Sequence, residues 1–253
     1  MAIEQASGEK YNSIATSVFD FCTVLYKNRD GQGFLFDMVQ KSSPAKRGRP
    51  RAYDEETALA QAMRVFWTGG YAATSLDELS AATRMNRPSL YAAFGDKQAL
   101  YRTLIERYRA MARAAMAEAL AGRPLREGLR RVYDGALSIY FGGKEPRGCF
   151  MIGTAVTEAA SDRTVRASLN EGLREIDAAF EARLRQARDD GELARGTDPA
   201  ALAKLASGTL YFLAIRSRAG EPRTVLERAA DDAIGLICGA PRRETSAQAG
   251  ASE

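Results

Sequence analysis

No histidine occurs anywhere in the 253-residue sequence. That removes Ser-His-Asp and Cys-His catalysis, Glu-x-x-His di-iron sites and ordinary His-ligated zinc. Cysteine is scarce too: Cys22, Cys149 and Cys238 are too few and too scattered for a disulfide scaffold. No run of about 18 apolar residues is present, which argues against a membrane span. The N-terminus lacks a basic region followed by an apolar run, so no secretion signal is expected and the chain reads as cytoplasmic. Lys-, Tyr- or carboxylate-based chemistry remains open by composition, but no constellation suggests it. The expectation is a non-enzyme with neither a cofactor nor a resident metal.

What is present is charge, unevenly placed. The net charge is +4, and residues 46–109 hold 11 Lys or Arg against 7 Asp or Glu. The positive excess therefore sits in one short stretch, as neutralising a phosphate backbone requires. Lys46-Arg47-Gly48-Arg49-Pro50-Arg51 opens it as a basic arm that Gly and Pro keep from being helical. Such an arm can lie along a backbone or reach a minor groove, which makes Arg49 and Arg51 candidate DNA contacts; a disordered solubilising tail is the other reading.

Three short helices follow by pattern. Asp54 can cap the first, whose apolar positions Leu59, Met63, Phe66 and Trp67 keep a helical period until Gly69-Gly70 ends it. Ser75-Leu76-Asp77-Glu78 is a capping box opening a second helix through about Ala82. Thr83-Arg84-Met85 is the turn to a third, for which Asn86 is the N-cap and Pro88 falls in the first turn, where a missing N–H loses nothing. Leu90 and Phe94 share one face, which leaves Arg87, Ser89 and Tyr91 off that face to meet DNA. Gly95-Asp96 ends this helix and caps another, with Lys97 at its anion-favouring start. The last two of the three helices have helix-turn-helix spacing, the second being the one that enters a major groove.

Residues 48–101 resemble the TetR/AcrR family of repressors, from Gly-Arg-Pro-Arg through Phe66, Gly70-Tyr71 and Thr74-Ser75-Leu76 to Ser89-Leu90-Tyr91-Ala92-Ala93-Phe94-Gly95-Asp96-Lys97 and Leu100-Tyr101. The resemblance implies an all-α homodimer: an N-terminal helix-turn-helix domain, and a larger helical domain that dimerises and binds a small-molecule inducer. It also implies backbone contacts from Thr74, Tyr91 and Lys97, within a DNA-facing set that includes Ser75, Asn86, Arg87, Pro88 and Ser89. The family pattern usually has Gly or another small residue where this chain has Pro88, which stiffens the helix start.

The expected organisation is a DNA-binding domain over 46–100, a ligand-binding and dimerisation domain over 101–238 and a small, polar tail over 239–253. Residues 1–45 match nothing in the resemblance, and from Met38 onward the sequence reads like an ordinary start. Translation from Met38 is one expectation; an extension that packs on the body or on DNA is the other. Beyond Leu100, periodicity predicts helices to about Leu120, from Leu125 to Phe141, from Cys149 to about Ala160, from Arg163 to Asp190, from Asp198-Pro199 to about Ala219, and from Val225 to Cys238.

The last two helices are rich in apolar and small residues, which suggests an isologous four-helix dimer through Leu202, Leu205, Thr209, Leu213, Leu226, Ala233, Ile234 and Ile237, with a plain monomer core as the alternative. Candidates for an inducer pocket are Tyr108, Met111, Tyr133, Tyr140, Phe141, Phe150, Met151, Phe180 and Tyr211, which equally suit a plain core; Arg147 and Glu158 could add polar contacts. Cys149, after Gly148 and beside Arg147, sits where a helix start and a cation lower a thiol pKa, and Pro146–Met151 resembles a stretch of one TetR subgroup. A thiol sensor of oxidants, electrophiles or Cu(I) is the alternative to a buried structural cysteine.

Three functions compete. The leading expectation is a dimeric, ligand-responsive repressor on a palindromic double-stranded operator, released by an unknown small-molecule inducer. A helical small-molecule-binding protein or enzyme without specific DNA binding is the second, and a sequence-tolerant architectural DNA-binding protein the third.

Overall fold

Capping residues and helix breakers partition the chain. The computed structural model describes residues 53–143 and 145–239, and every regular element among them is helical. Asp54 accepts the Thr57 amide at 2.8 Å and opens α1 (Glu55–Ala73), with Glu55 and Glu56 against the positive end of its dipole. Gly70, at φ 78° and ψ 171°, breaks that helix before its last turn. At α2 (Leu76–Thr83) the Ser75 hydroxyl accepts the Glu78 amide at 3.1 Å, while the Glu78 carboxylate accepts the Ser75 amide at 2.7 Å. Each such cap is worth about 1 kcal/mol. The Asn86 side chain accepts the Ser89 amide at 2.9 Å to start α3 (Arg87–Phe94), and Asp96 accepts the Ala99 amide at 2.7 Å to start α4 (Lys97–Leu120).

The remaining elements are α5 (Leu125–Tyr140), a π-helical turn (Met151–Ala155) running into the one-turn α6 (Val156–Glu158), α7 (Arg163–Asp189), α8 (Pro199–Arg218) and α9 (Arg223–Cys238). One regular helix from Cys149 to Ala160 was the expectation, and the π turn departs from it. The Thr154 hydroxyl donates to the Phe150 carbonyl at 2.8 Å and accepts from the Tyr101 hydroxyl at 2.8 Å, so a side chain competes for a carbonyl of the helix ladder where the turn widens.

Two apolar cores result. One gathers α1–α3 around Phe66, Leu79, Leu90, Tyr101, Leu104 and Ile105, each at most 3% exposed, and draws in Phe150, Ala155 and Val165 from beyond α5. The other packs α5, α7, α8 and α9 around Leu129, Tyr133, Phe180, Leu184, Leu213 and Ile234. Each fully buried large side chain contributes roughly 1.5–3 kcal/mol of transfer free energy. Helix α4 crosses from one core to the other: Leu100 to Tyr108 lie in the first, Met116 and Leu120 in the second. No helix among the described residues is long and apolar enough to cross a membrane.

Candidate nucleic-acid interface

The α2–turn–α3 unit is anchored from one side and open on the other. Leu79, Met85 and Leu90 are buried, and the Ser80 hydroxyl donates to the Met85 carbonyl, fixing the turn. Arg84 takes the left-handed conformation at φ 57°, which reverses the chain between the helices. Asn86, Arg87, Pro88, Tyr91 and Ala92 are exposed along the outward face of α3, Tyr91 at 48%, and Ser89 is half-buried.

The face is not a bare row of donors. The Arg87 Nη2 meets the Asp77 carboxylate at 2.6 Å and its Nε meets the same oxygen at 3.1 Å, with both side chains well exposed. This hydrogen bond and charge raise the arginine's pKa. Lys97 is half-buried, its Nζ 4.4 Å above the Tyr71 ring. Ser75 is exposed but its hydroxyl belongs to the capping box. Thr74 departs from the expectation: it is 3% exposed, and its hydroxyl donates to the Gly70 carbonyl at 2.7 Å, closing the end of α1. Exposed Arg84 was not among the expected contacts, although the helix-turn-helix spacing marked its turn. Arg49, Arg51, the Met38 start and the 1–45 extension lie outside the described residues.

The expected inducer-pocket residues are divided. Tyr108, Phe150 and Met151 belong to the first core, Tyr133, Tyr140 and Phe180 to the second, and Met111, Phe141 and Tyr211 are half-buried beside them. Tyr108 and Phe150 stand 5.5 Å apart, and Tyr133 and Phe180 6.4 Å, as ordinary core neighbours do. Burial pushes the Tyr108 and Tyr140 hydroxyls far above their usual pKa, with the Cys149 thiol adding to both. Of the two expected polar contacts, Glu158 lines a cavity and Arg147 lines none among those of the described residues. A polar one of about 260 Å³ is lined by Glu158, Tyr71, Tyr101 and Asp162, and an apolar groove of about 290 Å³ opens between the residues around Cys149 and α8.

At Cys149, burial outweighs the helix start and the neighbouring cation. Burial raises its thiol pKa, against the lowering effect of the amides of Ile152 and Met151 and of the Tyr108 hydroxyl, which donates to its sulfur at 3.3 Å. The neighbouring Arg147 guanidinium turns away to lie 4.1 Å over the Trp67 ring. Among the described residues no group of three His, Cys, Asp or Glu is placed to hold a metal ion.

Four of the eight expected dimer residues face inward: Leu213, Leu226, Ile234 and Ile237 are at most 4% exposed and fill the protomer's own core. Both helices carry two apolar stripes, and spacing alone does not say which one the core takes. Leu202, Thr209 and Ala233 are half-buried, and Leu205 is exposed. The outward stripe runs through Leu205 (59% exposed), Phe212 (43%) and Ile215 (57%) on α8 and Val225 (37%) and Leu236 (82%) on α9.

Comparison with known proteins accords with this geometry. Residues 58–104 match the model of the bacterial regulatory proteins of the tetR family, and residues 126–233 match the tetracyclin repressor-like C-terminal domain. The chain is 31% identical over 176 residues to the HTH-type transcriptional repressor ComR of Escherichia coli K12, covering 69% of this chain and 84% of the relative. It is 33% identical over 116 residues to the E. coli repressor BdcR, covering 46% of this chain and 59% of that protein. Among solved structures, a cysteine mutant of the TetR-family regulator CifR with 26-bp double-strand operator DNA superposes with a TM-score of 0.68 at 34% identity, covering 74% of this chain and 98% of that one.

Proposed function

The chain belongs to the TetR family of transcriptional regulators, and from that premise we propose that it is a homodimeric repressor that binds a palindromic operator and is released by a small-molecule inducer. The observation that carries this proposal is the doubly capped α2–α3 unit, whose outer face presents Asn86, Arg87, Ser89 and Tyr91. Under this proposal residues 46–100 grip DNA, with Arg87 reading a base edge or holding phosphate, and residues 101–238 dimerise and respond to ligand. Arg84 joins the proposed contacts, and Thr74 acts only by shaping the turn that holds Ser75.

Dimerisation is assigned to the part of the outward stripe that runs through Leu205, Phe212 and Leu236, with Thr209 and Ala233 beside it. An exposed apolar surface on two adjacent helices suits self-complementary four-helix packing. Two recognition helices about 34 Å apart then address successive major grooves. The Cys149 sensor is the weaker alternative, because burial suppresses the thiolate that reacts with oxidants and soft metals.

Binding to the DNA flanking its own gene, compared with random DNA across a salt series, tests the proposal. A gap of about 10³-fold or more is expected for a specific regulator, and equal affinity for both DNAs contradicts it. Lys97→Ala should weaken binding to both and reduce the salt slope by about one.

A further inference from the structure

Three guanidinium groups, those of Arg64, Arg147 and Arg218, gather where α1, the start of the π turn and the end of α8 meet. Among the described residues no carboxylate forms an ion pair with any of them. The Arg218 Nη1 donates to the carbonyls of Trp67 and Arg147, both at 3.1 Å, and its Nη2 reaches the Thr68 carbonyl at 3.5 Å. Trp67 and Thr68 lie in the last turn before the Gly70 break, where helix carbonyls lack intrahelical donors. Arg218 therefore latches the DNA-binding domain to α8 through neutral acceptors alone. Beside it, Arg147 keeps a buried Nε without a partner. Burial lowers the Arg147 pKa and the positive charge of Arg64 lowers it further, so the junction is electropositive and partly desolvated.

Next to these cations lies the apolar groove of about 290 Å³, walled by Ile152, Ala214 and Ile215 and bordered by Arg218. Its shape depends on two glycines. A Cβ on Gly153 would stand 3.0 Å from the Arg218 Nη1, and one on Gly148 would stand 2.4 Å from the Ala214 carbonyl oxygen. The volume sits at the low end for ligand sites, too small for a nucleotide.

We propose that this groove binds a small organic acid, its carboxylate on the Arg218 guanidinium and its apolar body on Ile152, Ala214 and Ile215. A carboxylate offers that arginine a bidentate pair in which both partners are charged, which its single bonds to neutral carbonyls lack. Binding thus draws Arg218 off the Trp67 and Thr68 carbonyls and frees the end of α1, which carries the first support of the helix-turn-helix. The proposal deepens the ligand-responsive reading and rests on it, naming the class of effector and its path to the DNA-binding domain.

Trp67 is the only tryptophan in the sequence, so its emission reports the junction directly. Full-length protein is titrated with octanoate and with benzoate, and with 1-octanol as the uncharged control. At least one acid should shift Trp67 emission saturably and 1-octanol should not. Arg218→Ala should raise the half-saturating concentration about tenfold or more, as loss of a charged hydrogen bond does. Arg64→Gln, which alters the potential without touching the latch, should raise it about two- to threefold and covers the case in which the first variant does not fold. Saturation by neither acid, or saturation indifferent to both arginines, overturns the site. Operator binding measured alongside separates the two claims. Specific DNA binding without acid binding defeats this site alone. Acid binding that depends on Arg218, in a protein with no preference for its flanking DNA, defeats the regulator proposal and leaves the site standing.

Discussion

The indole N–H of Trp67 donates to the carbonyl of Gly148 at 3.1 Å, joining α1 of the DNA-binding domain to the segment before the π turn across 81 positions of sequence. Gly148 holds φ +65°, and a Cβ there would lie 2.4 Å from the Ala214 carbonyl oxygen. The contact works because α8 can press against bare backbone at this point. A left-handed L-residue costs roughly 1–2 kcal/mol, and overpacking adds about 1–3. Gly148→Ala should therefore destabilise the protein by about 2–5 kcal/mol in urea denaturation followed by circular dichroism. A change below about 0.5 kcal/mol, the scale of a neutral surface substitution, contradicts the close approach.

Arg87 is tied to Asp77 at 2.6 Å on the face proposed to meet DNA. The carboxylate repels phosphate and holds the guanidinium in one direction. Asp77→Asn should strengthen binding to random DNA about two- to fivefold, the scale of an exposed charge pair. The affinity gap between flanking and random DNA should narrow, because Arg87 is then less well aimed. Fluorescence anisotropy at fixed salt reads both. Weaker binding to random DNA would show that Asp77 serves only to build the unit.

Much of the DNA-binding half was legible in sequence because its instructions are local. Ser75, Asn86 and Asp96 each cap a helix within three residues of themselves, and Gly70 and Gly95 break helices by their own backbone. Thr74 was misplaced because its hydroxyl answers a local carbonyl that a motif does not display. In the C-terminal half the deciding contacts are long-range. Leu213 on α8 and Leu236 on α9 are alike in type, but one is fully buried and the other 82% exposed, because the packing of α5, α7, α8 and α9 on one another selects which face of each helix turns inward. The sequence leaves Cys149 open between a sensor thiol and a buried structural cysteine, because burial, which raises its pKa, is set only by tertiary packing. The π turn likewise depends on Tyr101 reaching Thr154 from α4.

That division between α8 and α9 faces gives a paired prediction. Leu213→Ala opens a cavity in the second core and should cost about 2–5 kcal/mol of stability. Leu236→Glu and Phe212→Glu fall on the outward stripe and should leave each protomer folded while splitting the dimer, read by sedimentation velocity. Their stability change, measured on the monomer, should stay within about 0.5 kcal/mol. A dimer that survives both glutamates places the interface elsewhere.

Asp162 supplies the pH dependence. Its Oδ1 caps α7 by accepting the Thr164 amide at 2.8 Å and the Val165 amide at 3.2 Å, while Oδ2 accepts Gln98 at 2.5 Å and Arg102 at 3.1 Å from α4. Burial alone would raise its pKa, but these four donors together outweigh it and hold the carboxyl below the ordinary value of 3.8. A depressed folded pKa means that the charged form stabilises the native state. The contribution is complete above the unfolded value and disappears as pH falls through the lower folded one. Asp162→Asn keeps a capping side chain but loses the charge that draws α4 to the start of α7. It should be less stable than the parent at pH 7, and the difference should shrink as the pH is taken below 3.8. Urea midpoints for both proteins at pH 7, 4 and 3 test this. A difference unchanged across the series would mean that the charge is not what joins the two helices, and that shape and neutral hydrogen bonds hold them instead.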